Sequence, residues 1–342
     1  MSETLNAIAQ AMVAAGKGIL AADESTGTIK KRFDSIGVES TADTRRDYRE
    51  MLFRTEAAMK NRISGVILYD ETLRQNAADG TPLVELIKAS GSVPGIKVDT
   101  GAKDLAGHPG EKVTEGLDGL RERLGEYYDL GARFAKWRGV ITIGDGIPSS
   151  ACIASNAHAL ARYAALCQEQ RIVPIVEPEV LMDNPGAAHD IARCEDVTRN
   201  TLNAVFEELS AHSVALDGMV LKPNMIIAGK EAPVQASAEE VAERTVAVLK
   251  DCVPAAVPGI AFLSGGQSDM DATHHLSLMN ASGSLPWNLT FSYGRALQAP
   301  ALQVWGGKPE NVPAAQAAFL HRAEMNGLAA QGEWSEGLEL AA

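Results

Sequence analysis

Val173-Pro174-Ile175-Val176-Glu177-Pro178-Glu179 begins as a buried strand and ends in two carboxylates. Three other stretches repeat the design. Phe134-Ala135-Lys136-Trp137-Arg138 and Met219-Val220-Leu221-Lys222 finish in cations, and Gly18-Ile19-Leu20-Ala21-Ala22 leads into Asp23. Residues two apart in a strand point the same way, so Lys136 with Arg138, Glu177 with Glu179, and Lys97 with Asp99 each share a face. Charge at the end of an apolar strand is costly to desolvate unless it is paired or used. Strands ending this way therefore point to one shared polar site.

Working outward, further short apolar runs lie at 65–69, 95–98, 260–263 and 289–292, making eight with those at 18–22, 133–136, 173–176 and 219–222. Helix-like stretches separate them, as crossover helices separate the strands of a parallel sheet. Eight units favour a closed (β/α)8 TIM barrel of the α/β class. Thr81-Pro82 reads as an N-cap with proline at the first helical position, and Ser237 with Glu240 has capping-box spacing. Leu117, Leu120, Leu124 and Tyr128, then Ile191, Cys194, Val197, Leu202, Val205, Phe206 and Leu209, trace apolar helical stripes suited to the barrel's outer wall. Without a linker or repeat, residues 1–332 read as one barrel domain with a short amino-terminal helical extension. Residues 333–342 are weakly patterned and are expected to form a short mobile tail.

The composition excludes some function classes. With 46% hydrophobic and 22% charged residues the chain can bury a substantial core, and its net charge of -13 disfavours broad nucleic-acid or anionic-membrane binding. Local basic clusters can still hold a small anion. The four cysteines have no CxxC spacing and read as reduced thiols. The first ten residues contain Glu3 and no basic segment, and no stretch approaches a membrane span, so a cytoplasmic protein is expected.

Lysine near other cations and partly desolvated has its neutral form favoured, and a neutral amine attacks a ketone to form a Schiff base; Lys222 and Lys136 both qualify. Glu177 and Glu179 read either as partners of these lysines or as a like-charge pair that raises one carboxyl pKa for proton transfer. Asp23 reads as a helix cap or a base. Ser264-Gly265-Gly266 and Ser292-Tyr293-Gly294-Arg295 follow the seventh and eighth runs, where barrel enzymes usually bind phosphate. Lys30, Lys31, Arg32 and Arg45 form a second basic group, either a solvated helix face or another anion site. His274-His275 lacks metal-ligand spacing, and no nucleotide-binding glycine motif opens a βα unit, so no metal or cofactor is expected.

Together, these motifs over residues 16–332 closely resemble class I fructose-bisphosphate aldolases. The resemblance implies a metal-independent lyase of glycolysis and gluconeogenesis that reversibly splits fructose 1,6-bisphosphate into dihydroxyacetone phosphate and glyceraldehyde 3-phosphate. It implies Lys222 as the iminium-forming residue, Glu177 as the proton shuttle, Asp23 as the base for bond cleavage, and Lys136 and Glu179 as setting the charge around the nucleophile. Ser264, Gly265, Gly266, Ser292, Gly294 and Arg295 match the site for the phosphate beside the ketone. Ser25, Lys31, Arg32, Arg45, Lys97 and Arg138 fall where the family places groups for the other phosphate and the sugar. A homotetramer is implied, with small sugar phosphates as partners. Two positions depart from the pattern: Thr100 stands where the family usually has lysine, and the chain ends without the terminal tyrosine of animal members. Competing expectations are another ketose phosphate as main substrate, such as sedoheptulose 1,7-bisphosphate or fructose 1-phosphate, or a silent sugar-phosphate-binding scaffold.

Overall fold

The computed structural model describes residues 4–339. Residues 1–3 of the segment read for targeting, and residues 340–342 of the expected tail, lie outside that range. Eight parallel strands close a barrel: Gly18–Ala22, Ile63–Leu68, Val93–Lys97, Phe134–Ile141, Val173–Val180, Val220–Leu221, Gly259–Phe262 and Asn288–Tyr293. Each pairs with its sequence neighbours, and Ile19 opposite Ser292 joins first strand to last. Helices between them form the outer wall, as expected.

The two-residue period of a strand sorts the side chains. Leu20, Trp137, Val176, Leu221, Ile260 and Phe262 face out and pack under the helices. Ile19, Ala21, Phe134, Val173, Ile175, Val220 and Ala261 face in at the amino-terminal ends. This inner layer is closed from below by the helix Leu5–Met12, whose Ile8, Ala9 and Met12 join the same cluster. Burying each large apolar side chain there contributes roughly 1.5–3 kcal/mol. Two or four residues further along the same inward face come Asp23, Lys136, Arg138, Glu177, Glu179 and Lys222. The barrel is thus oil below and charge above.

Packing inside the barrel explains one glycine. An added Cβ at Gly95 would lie 2.2 Å from the Phe134 ring, so the phenyl group fills the space that a side chain would occupy.

Several element ends differ from expectation. The fourth and fifth strands run on to Ile141 and Val180, past their charged residues, because those residues alternate inward while the pairing with each other continues through Val140 and Glu179. The sixth strand is only Val220–Leu221, leaving Lys222 just beyond it. Pro82 caps the helix Leu83–Ala89 rather than opening it, since the Thr81 carbonyl is committed to the Ala77 N–H and the helix starts one residue later. Ser237 does cap its helix, its hydroxyl accepting from the Glu240 N–H at 3.2 Å. All four cysteines are free and buried. A hairpin not foreseen from the sequence, Gly101–Asp104 with Lys112–Glu115, follows the third strand.

Beyond the helix Val312–Ala329 the chain is anchored as far as Glu339, in a stretch expected to be mobile. The Glu339 carboxylate accepts from Arg322 Nη1 at 2.6 Å and from the Trp334 indole N–H at 3.0 Å, and Arg322 is itself buried. No helix among the described residues is long and apolar enough to cross a membrane.

Candidate active site

A cavity of about 380 Å³ opens at the carboxyl-terminal ends of the strands. Its floor is a chain of alternating charges. Lys222 Nζ lies 3.0 Å from Glu177 Oε1, Glu177 Oε2 lies 3.4 Å from Lys136 Nζ, and Lys136 Nζ lies 2.7 Å from Asp23 Oδ2. These side chains come from four strands and are nearly or wholly enclosed, Lys222 and Lys136 being 4% exposed. Arg138 pairs with Glu179 beside them, and Lys97 with Asp99 at 2.9 Å.

Mutual pairing decides the protonation states. Burial works to raise the Asp23 carboxyl pKa, but the Lys136 and Lys222 charges outweigh it and hold the group at about 2. Burial likewise opposes the Lys136 charge, yet Asp23, Glu177 and Asp99 raise its pKa above the ordinary lysine value. Lys136 is therefore a fixed ammonium and is unsuited to the nucleophilic part that its sequence setting allowed. Lys222 faces a single close carboxylate instead of two. For Glu177, burial is outweighed by Lys222, Lys136 and Arg138, and the carboxyl lies below its usual range. The upward shift expected from Glu179 is absent because Arg138 occupies Glu179 and three cations surround Glu177.

These shifts have a pH consequence. Asp23 has a folded pKa below its ordinary 3.8, so its pairing adds stability above pH 4, about 2 kcal/mol, which is lost as pH falls towards 2. Denaturation midpoints measured against pH should show this loss in the wild type and a shallower acid slope in Asp23→Asn. Equal slopes would count against the pairing.

Ser264, Gly265, Ser292, Gly294 and Arg295 line the same cavity. Ser292 Oγ is buried and has no hydrogen-bond partner among the described residues, leaving a hydroxyl free for a ligand. A Cβ at Gly265 would stand 3.0 Å from Glu179 Oε1, so a side chain there would press on that carboxylate. Gly266 turns the backbone with φ +75° without lining the cavity. Arg295 Nη2 rests 2.9 Å from Asp183 Oδ2 in an exposed ion pair, of a kind typically worth at most about 1 kcal/mol and so readily exchanged for an anion.

The residues expected around the other phosphate and the sugar divide. Ser25, Arg32, Lys97 and Arg138 line the cavity, and it is Ser25, not Asp23, that caps the helix Thr26–Asp34. Lys31 points to solvent from the same helix and does not line the cavity. Arg45 is turned aside by its ion pair with Glu71. Sequence reasoning passed over Glu24, which is 7% exposed and lines the cavity. It pairs with Arg32, accepts from Gln298 Nε2 at 3.1 Å and lies 3.7 Å from buried Arg49. The adjacent acid Asp23 was the only signal for it, because two of its partners, Arg49 and Gln298, come from helices remote in sequence.

A lysine faced by a carboxylate, a second lysine held as ammonium, and an anion pocket above them at a barrel's carboxyl-terminal mouth define a barrel enzyme suited to Schiff-base chemistry on an anionic carbonyl substrate. Comparison with known proteins sharpens this. The family model "Fructose-bisphosphate aldolase class-I" matches residues 4–342. A probable fructose-bisphosphate aldolase class 1 of Xanthomonas axonopodis pv. citri (strain 306) is 58% identical over 97% of this chain and 98% of its own length. Fructose-bisphosphate aldolase 1 of Toxoplasma gondii is 54% identical over 96% of this chain and 90% of its own length. The solved structure of fructose-bisphosphate aldolase from Plasmodium falciparum, in complex with TRAP and a small-molecule inhibitor, superposes with TM-score 0.94 at 50% identity, covering 97% of this chain and 95% of that one. The chain belongs to the class I fructose-bisphosphate aldolase family.

Proposed function

We propose that this protein, a lyase of the class I fructose-bisphosphate aldolase type, cleaves fructose 1,6-bisphosphate reversibly into dihydroxyacetone phosphate and glyceraldehyde 3-phosphate through a Schiff base on Lys222. The observation that carries the residue assignments is the enclosed row Lys222, Glu177, Lys136, Asp23. Two phosphates held in the same cavity would fix the ketone against Lys222 and make amine attack effectively unimolecular. Ser264, Gly265, Ser292, Gly294 and Arg295 suit the phosphate beside the ketone, and Ser25, Arg32, Lys97 and Arg138 suit the remainder of the sugar phosphate.

Glu177, 3.0 Å from Lys222 Nζ, takes the proton released on attack. It returns a proton to the carbinolamine hydroxyl, which leaves as water and yields the iminium. Asp23 then removes the proton of the substrate hydroxyl; the carbon–carbon bond breaks, glyceraldehyde 3-phosphate departs, and the bonding pair moves into the iminium to give an enamine. Protonation of the enamine and hydrolysis release dihydroxyacetone phosphate. Drawing Lys136 towards substrate oxygens would remove the main counter-charge from Asp23 and strengthen it as a base.

Borohydride reduction in the presence of dihydroxyacetone phosphate tests the scheme. The expected outcome is a stable adduct that peptide mapping places on Lys222; an adduct on another lysine would overturn the assignment.

Family likeness supports a cytoplasmic homotetramer. Light scattering on the eluted protein is expected to give four times the 36.2 kDa chain mass, and a lower multiple would refute the tetramer.

A further inference from the structure

On the outer wall, away from the cavity, two neighbouring helices bring together His158, Glu208 and His212. His158 lies in the helix Ser150–Glu169 and Glu208 in the helix Ile191–Ala211, with His212 as that helix's carboxyl-terminal cap. One ligand atom from each side chain falls within 4.8 Å of the others. His158 Nδ1 is 3.0 Å from Glu208 Oε2, His212 Nδ1 is 3.4 Å from the same oxygen, and the imidazole centroids are 5.0 Å apart.

The local chemistry suits a cation. His212 Nδ1 also lies 2.8 Å from the Glu208 carbonyl oxygen, a contact from which the ring turns for that nitrogen to take an ion. The side chains are 50%, 32% and 26% exposed for His158, Glu208 and His212, so an ion can reach them and small rotations can close the set. Two imidazoles and one carboxylate favour zinc or a similar borderline transition metal over magnesium or calcium, which prefer all-oxygen sites.

We propose that His158, Glu208 and His212 form a surface site for a divalent transition metal of the zinc class, with the remaining coordination open to water. None of the three lines the catalytic cavity, so the site is separate from the aldolase chemistry. No spacing pattern revealed it, because His158 stands 50 residues from Glu208 along the chain and only helix packing joins them.

Titration of the full-length protein with Zn²⁺ by calorimetry near pH 7.5 tests the site. Saturable binding of one ion per chain is expected, with turnover unchanged. The variants His158→Ala and His212→Ala should each bind at least about tenfold more weakly while keeping wild-type turnover, which also reports that they fold. Co²⁺ should give tetrahedral absorption bands in the wild type that vanish in both variants. Absence of saturable binding, or an affinity unchanged in the two variants, would overturn the proposal.

Discussion

Lys222→Met is expected to lower kcat/KM by roughly 10⁵-fold or more, because the iminium is the only electron sink in the scheme and no other cavity group replaces it. Lys136 does not take over: Asp23 at 2.7 Å and Glu177 at 3.4 Å hold it as ammonium. Methionine nearly preserves the volume of the buried stem, so the barrel should survive. Removing the cation leaves Glu177 with Lys136 and Arg138 as counter-charges, which limits the structural damage. Calorimetry should still detect dihydroxyacetone phosphate, since the change leaves the proposed phosphate ligands Ser264, Gly265, Ser292, Gly294 and Arg295 in place. Steady-state kinetics with borohydride labelling check the result; turnover within tenfold of the wild type would sink the role of Lys222.

Lys136→Met should be the most damaging change to stability and should also lower the rate. Lys136 neutralises two enclosed carboxylates from two other strands, and breaking a buried pair by removing one partner typically destabilises by about 3–5 kcal/mol. Asp23 would lose its principal counter-charge, and its pKa should climb from about 2. Chemical denaturation and pH–rate profiles test the two consequences separately. The expected pattern is a lower unfolding midpoint together with an acid limb displaced to higher pH. A variant as stable as the wild type, with an unmoved acid limb, would show that the 2.7 Å pair carries little energy.

Much of this was legible in the chain. A strand repeats every two residues, so Ile19, Ala21 and Asp23, or Ile175, Glu177 and Glu179, had to share a face once they were strands. Apolar residues at one end and charges at the other then imply a filled floor and a polar mouth. This part of the cavity lining was legible too, since Ser264 and Gly265 closely follow the seventh strand, Ser292 lies near the end of the eighth and Gly294 and Arg295 come directly after it, where the chain has little freedom to move them elsewhere.

The misses lie where long side chains choose among several partners. Arg45 carries the charge of a ligand but spends it on Glu71, and Lys31 belongs to the solvent face of its helix although Arg32, one residue on, turns inward. Glu24 joins the site through Arg32, Gln298 and Arg49, which lie 8, 274 and 25 residues away. Protonation was misjudged for a related reason: Lys136 was read beside cations, whereas closure of the barrel sets it against Asp23 from the first strand.

The sequence by itself determined the strand faces, the number of βα units, the charged mouth and the family resemblance, because these follow from short-range periodicity and from motifs contiguous along the chain. Only the tertiary structure decided which carboxylate neutralises which lysine, where Arg45 and Glu24 point, and that His158 meets Glu208 and His212. Those outcomes depend on distances across the barrel and between helices, and electrostatic energy falls off with separation in space, of which separation along the chain is no measure.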